Sequence, residues 1–197
     1  MRRRDLGALA LFPWFGAHAA PTAPTAPTAP ATDDDAIAAA LRDGRCAILF
    51  RHGLTVSGIG DPPGFRLDAC STQRNLNDDG RAQARRIGEW FASRKLRPLA
   101  VRTSAWCRCR ETAELAFGKA DHWPPLNSTF DDSALSPAAT AQLREALRSI
   151  PANGFEVWVT HQVNITALTG EFARMGEGVL VDATGAVRGR LSAPARP

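Results

Sequence analysis

The stretch Cys46-Ala47-Ile48-Leu49-Phe50-Arg51-His52-Gly53 decides how this chain is read. Five apolar residues in a row, of strand length and without alternation, describe a β-strand covered on both faces, as in the interior of a parallel sheet. An arginine, a histidine and a glycine follow at once. In open α/β sheets ligands bind outside the carboxyl ends of the strands, which is where this triplet falls. Gly53 lets the backbone turn sharply and approach a ligand, Arg51 carries a planar fork of donors suited to an oxyanion, and His52 supplies a nucleophilic ring nitrogen. Out of context such a triplet is more often a surface turn with a solvated histidine, so its weight depends on the rest of the chain.

Working outward, elements of the two types alternate. A helix is expected over 33–42, with Thr32 or Asp33 as cap, acidic residues in its first turn and Gly44 just past its end. After the signature strand, a helical stripe of Ala82, Ile87, Trp90 and Phe91 predicts a helix over about 77–95. A strand over 99–101, helices over 107–117 and 138–149, a strand over 156–160 and a helix over about 163–174 follow. Residues 179–181 and 187–191 close the chain as a hairpin around Thr184-Gly185. This order predicts an α/β fold: a three-layer α/β/α sandwich built on a mostly parallel sheet.

The context strengthens His52. A second histidine, His161, also stands directly after an apolar strand, and the strand at 99–101 leads to Thr103-Ser104, with Arg108 four residues further on, where a helix begins. Two guanidiniums, two imidazoles and helix N-termini together make a set suited to a phosphoryl group.

At this point the chain resembles the histidine phosphatase superfamily, in its phosphoglycerate mutase-like branch. Arg51-His52-Gly53 with Thr55 is similar to that family's signature loop, and Leu76 through Gly80 with Gln83-Ala84 is similar to its Leu-x-x-x-Gly-x-x-Gln-Ala helix start. Ser104, Arg108, Thr112 and Ala113 resemble the segment that carries its second arginine, and Val159-Thr160-His161 resembles the strand that ends in its second histidine. The likeness spans about residues 45–182. It implies a phosphoglycerate mutase-like fold and phosphomonoester hydrolysis through a phosphohistidine on His52. Arg51, Arg108, His161 and Thr55 would hold the phosphoryl oxygens, with no metal and no cofactor. The leaving-group acid would lie in the loop before Pro137, where Asp132 is the favoured residue and Asp131 the alternative; capping is the competing structural role for both. An insertion over 56–75, containing Asp61-Pro62-Pro63-Gly64, Arg66, Cys70 and Arg74, replaces the short continuation found in sugar-phosphate mutases and disfavours a mutase reaction. Two alternatives stay open: phosphotransfer of the mutase kind, and a module that binds phosphate without turnover.

The ends and the composition bound the rest. Arg2, Arg3 and Arg4 precede an apolar run and then Ala-His-Ala, which reads as an export signal over 1–20, of the general secretory or the twin-arginine type; a periplasmic or secreted protein is expected. The Pro-Thr-Ala repeats over 21–32 read as a spacer, and 33–197 as the domain. Losing the signal removes three arginines and one aspartate and lowers the formal charge from +4 to +2. So small a surplus, in a chain without tyrosine, argues against a nucleic-acid partner, and no run is long enough for stable membrane insertion. A small phosphorylated substrate, such as a sugar phosphate or a cell-envelope glycan phosphate, is the expected partner; the oligomeric state is open. Of the four cysteines, Cys70 is expected to pair with Cys107 or Cys109, and Cys46 to be buried at a strand start.

Overall fold

The computed structural model describes residues 33–193; the expected signal, the spacer and the last four residues lie outside the described residues. In chain order the elements are α1 (Asp33–Asp43), β1 (Cys46–Arg51), α2 (Asp78–Ser93), β2 (Ala100–Thr103), α3 (Cys107–Phe117), β3 (Asp121–His122), α4 (Ser136–Ser149), β4 (Phe155–Thr160), α5 (Gln162–Thr169), β5 (Gly178–Asp182) and β6 (Val187–Leu191). One sheet runs β3-β2-β4-β1-β5-β6. The first four strands in that order are mutually parallel, and β5 and β6 complete the sheet as an antiparallel hairpin. The fold is therefore the expected α/β sandwich with a mostly parallel sheet.

Alternate residues of a strand face opposite sides of a sheet, and here both sides are covered. Ile48, Phe50, Val157 and Val159 pack with Ile37 and Leu41 of α1, Ile87, Trp90 and Phe91 of α2, and Ala113 of α3. Ala47, Leu49, Trp158 and Val179 pack on the other side with Leu143 and Leu147 of α4 and Ile165 and Leu168 of α5. This explains the unbroken apolar run of β1: none of its four inner residues from Ala47 to Phe50 is more than 1% exposed. Burying one such side chain contributes roughly 1.5–3 kcal/mol, so a charge at Ile48 or Leu49 would disrupt one layer or the other.

The register brings the two strand-end histidines together. Arg51 at the end of β1 lies opposite Thr160 at the end of β4, so the next residues, His52 and His161, leave adjacent strands side by side. Thr103 of β2 lies opposite Val159, which carries Ser104 to the same rim.

Three elements differ from the expectation. The helix predicted to reach 174 ends at Thr169, because Gly170 takes a left-handed conformation (φ +78°) and its N–H bonds the Thr166 carbonyl. Residues 171–177 instead form a loop beside the site. α4 begins at Ser136, with Pro137 in its first turn, a position a proline tolerates well. β3, a two-residue edge strand, has no periodicity from which it could be read. Cys70 and Cys107 form a disulfide across 37 residues, while Cys46 and Cys109 are buried free thiols. Among the described residues no helix is long and apolar enough to cross a membrane.

Candidate active site

The resembling motifs meet in space, and each holds the next. Gly53 packs against the first turn of α2 so closely that a Cβ on Gly80 would stand 1.9 Å from the Leu54 carbonyl oxygen. The Gly53 N–H donates to Thr112 Oγ1 of α3 (3.0 Å), and the Leu54 N–H donates to Gln83 Oε1 of α2 (3.1 Å). Gln83 Nε2 in turn donates to the Met175 carbonyl (2.9 Å), which ties the loop before β5 to the same corner. Asn77 caps α2 by accepting the Gly80 N–H. The glycine, glutamine and threonine of these motifs thus make up the frame that fixes the turn after β1.

That turn sets the chemistry of His52. Its Nδ1 lies 2.9 Å from the Gly53 carbonyl oxygen, which can only accept, so Nδ1 carries the proton and Nε2 keeps its lone pair. The ring is buried at 3% exposure. Burial lowers its pKa from the usual 6.5 to about 3; the Gly53 carbonyl pulls the other way, and the guanidiniums of Arg108, Arg51 and Arg74 add to the depression. His52 is therefore neutral near pH 7, as a nitrogen nucleophile must be.

His161 packs edge-on to His52 with ring centroids 5.6 Å apart and an interplanar angle of 67°, and edge-on to Trp106 at 5.2 Å and 77°. Its Nε2 lies 2.8 Å from Ser104 Oγ, which also accepts the Trp106 N–H. Ser104 Oγ has one proton to give, and the tautomer that accepts it at Nε2 carries the imidazole proton on Nδ1. Burial first, then His52 and the same guanidiniums, hold the His161 pKa well below the histidine range.

Arg51, His52, Arg108 and His161, the four residues expected to surround one anion, line a single cavity of about 340 Å³. Arg74, from the insertion, joins them there. Each of the three arginines carries a buried Nε with no acceptor among the described residues, an arrangement that costs about 1–3 kcal/mol per group until an acceptor arrives. Burial, followed by the neighbouring guanidiniums, lowers the pKa of both Arg51 and Arg74. The Asp61 carboxylate is embedded among them, with its side chain 3% exposed. It accepts from Arg108 Nη1 (2.7 Å), the Arg74 amide (2.8 Å) and Trp106 Nε1 (2.9 Å). Burial pushes its pKa up, but these donors outweigh burial and hold the carboxyl below its usual range. Asp61 therefore anchors Arg108, and the cavity keeps a surplus of positive charge.

The remaining sequence-derived residues separate. Asp131 lines the cavity. Asp132 is not among its lining residues; its carboxylate accepts the Ala134 N–H and caps the short 3-10 turn Ser133–Leu135, so the favoured acid takes the structural role and the alternative takes the pocket. Thr55 is buried but turned to its neighbours, its hydroxyl accepting from Arg74 Nη1 (2.7 Å). It supports an arginine rather than the cavity wall. Arg66 is exposed and pairs with Asp68. Gln162 lines the cavity, whereas Asn164 is buried and donates to the carbonyls of Pro125 and Asn127. No motif marks Asp61, whereas Arg74, which the sequence leaves between a substrate contact and a solvent-exposed arginine, lines the cavity. Among the described residues no group of three or more histidines, cysteines and carboxylates stands together to hold a metal ion.

Comparison with known proteins agrees with this geometry. Residues 47–131 match the family model of the histidine phosphatase superfamily (branch 1), a segment that carries Arg51, His52, Arg74 and Arg108. Among solved structures the fold is similar to that of phosphoglycerate mutase from Thermus thermophilus, at 23% identity and TM-score 0.52, covering 75% of this chain and 98% of that one. TTHB049 from the same organism is similar at 23% identity and TM-score 0.51, covering 75% and 99%. The protein histidine phosphatase SixA, solved with tungstate, is similar at 17% identity and TM-score 0.51, covering 75% and 96%. No curated protein matches the chain by sequence. The histidine phosphatase match thus covers the segment from β1 to the loop before α4, and the fold likeness extends over three quarters of the chain. The fold is phosphoglycerate mutase-like.

Proposed function

We propose that the protein is a phosphomonoester hydrolase that works through a phosphohistidine on His52. The observation that carries this reading is the His52 hydrogen bond to Gly53: it commits Nδ1 and leaves a neutral Nε2 in a cavity lined by three guanidiniums. In the first step Nε2 attacks phosphorus and the ester P–O bond breaks. Asp131 gives a proton to the departing oxygen. Arg51, Arg108 and the His161 N–H stabilise charge on the three phosphoryl oxygens, as donors fixed in advance do at a transition state. In the second step water attacks phosphorus, the P–N bond breaks, Asp131 takes back a proton, and inorganic phosphate leaves.

SixA, a protein histidine phosphatase of similar fold, was solved with tungstate, an oxyanion, which supports oxyanion binding by a fold of this kind. The expected carrier is a small molecule such as a sugar phosphate or a cell-envelope glycan phosphate. Export is part of the proposal: three arginines precede an apolar run, and a disulfide such as Cys70–Cys107 persists in oxidising compartments. Incubation with an aryl phosphate tests the reaction. Inorganic phosphate should be released by the wild type and not by His52→Ala; release by His52→Ala at the wild-type rate would refute it.

A further inference from the structure

A phosphoryl group on Nε2 of His52 leaves its carrier to lie against the rest of the cavity wall, and that wall differs in kind from the floor. Among the described residues seven large hydrophobic side chains stand exposed, and three of them, Ile59 (92%), Phe130 (59%) and Phe172 (63%), line this one cavity. Val163 and Met175 continue the same lining. Exposed apolar residues scattered singly over a surface are ordinary, but a group of them around a cationic pocket is a mark of ligand binding.

These side chains are held in display by their backbones. Ile59 sits between Gly58 and Gly60, both at positive φ, and the Gly58 carbonyl accepts from Arg74 Nη1 at 2.9 Å. That loop abuts Phe130: a Cβ on Gly60 would lie 3.8 Å from the Phe130 ring. On the Arg51 side, the Phe172 ring stands 5.7 Å from the Arg51 guanidinium carbon, and the Phe172 carbonyl accepts from Arg190, which also pairs with Glu171 and Glu177. Two of the three thus neighbour arginines that line the same cavity.

We propose that Ile59, Phe130 and Phe172 form a subsite for the carrier, and that this subsite selects phosphomonoesters presenting an apolar face, whether an aryl group, an alkyl group or the C–H face of a sugar ring, over compact charged esters such as phosphorylated hydroxy acids. The inference rests on the phosphomonoesterase reading and deepens it. A compact acid would leave the rim in water and bring its own charge beside Asp131, whereas a carrier with an apolar face covers the rim while its phosphate reaches the arginines.

The test compares phenylpropyl phosphate with propyl phosphate, whose alcohols leave with like acidity, in the wild type and in the triple variant Ile59→Ser, Phe130→Ser, Phe172→Ser. The wild type should favour the phenylpropyl ester about 10-fold or more in kcat/KM, and the triple variant should lose that preference. Equal turnover of the two esters by the wild type, or a preference that survives in the triple variant, would overturn the subsite. Release of phosphate from neither ester by the wild type would instead count against the hydrolase itself. Co-sedimentation with phosphate-free lipid vesicles that the triple variant abolishes would make the rim a membrane contact and overturn the proposal as well.

Discussion

Replacing Gly80 by alanine should disable the site from the outside. The new methyl carbon would stand 1.9 Å from the Leu54 carbonyl oxygen and 2.9 Å from the Leu54 nitrogen, where ordinary contact begins at 3.4 Å. The shortfall of about 1.5 Å can be relieved only by moving the turn that follows β1 or the first turn of α2, since both clashing partners are backbone. Overpacking of this kind costs about 1–3 kcal/mol or somewhat more, which for a domain of this size lowers Tm by roughly 2–4 °C per kcal/mol. The turn also carries the Gly53 carbonyl that sets the His52 tautomer, and a displacement near 1 Å at a catalytic group costs on the order of 100-fold in rate. Phosphate release and thermal unfolding measure both effects. Gly88→Ala is the control: its Cβ would meet the Ala116 carbonyl oxygen at 2.2 Å, between α2 and α3 and away from the turn. It should cost stability and spare kcat. Gly80→Ala with kcat/KM within about twofold of wild type, or equal kcat losses in the two variants, would refute the claim that α2 fixes the catalytic turn.

Further outcomes follow from the same geometry. By NMR, the His52 and His161 imidazoles should stay neutral down to pH 5, because burial lowers both pKa values, that of His52 to about 3; midpoints near 6.5 would contradict this. Since the unfolded chain takes up these protons below about pH 6.5, stability should be greatest above that pH and decline as pH falls below it, for His52 by up to about 1.4 kcal/mol per pH unit down to about pH 3, with His161 acting in the same direction. Asp131→Asn should lower kcat about 100-fold or more for esters with poor leaving groups, whereas Asp132→Asn should cost at most about 1 kcal/mol of stability through its cap; the reverse order of kcat losses would assign the acid to Asp132. Reducing the Cys70–Cys107 bridge, which spans 37 residues, should cost about 4 kcal/mol on the loop-entropy model, read as a lower urea midpoint; an unchanged midpoint would show that the insertion is held by its other bonds alone.

Most of the fold and the centre of the site could be read from the chain because their causes are local. An unbroken apolar run marks a strand covered on both faces, and a histidine directly after such a run lies at the carboxyl-end rim of the sheet; His52 after β1 and His161 after β4 both do so, and their shared register brings them to one cavity. What escaped depends on contacts distant in sequence. Asp61 stands in the sequence only as one residue of the insertion and becomes the anchor of Arg108 because the insertion folds back over α3. Arg74 resembles a surface arginine until the same loop turns it inward. Asp131 and Asp132 are neighbours of identical chemistry, and the backbone alone decides that one caps a turn while the other faces the cavity.

The central claim is that a neutral His52 takes the phosphoryl group on Nε2. Rapid quenching of the enzyme during turnover of a labelled phosphomonoester, followed by peptide mapping under alkaline conditions, tests it most directly. An acid-labile phosphoryl group on the imidazole of residue 52, formed and lost at rates compatible with turnover, is the predicted result. Label on serine, on His161, or on no residue while phosphate is being released would contradict it.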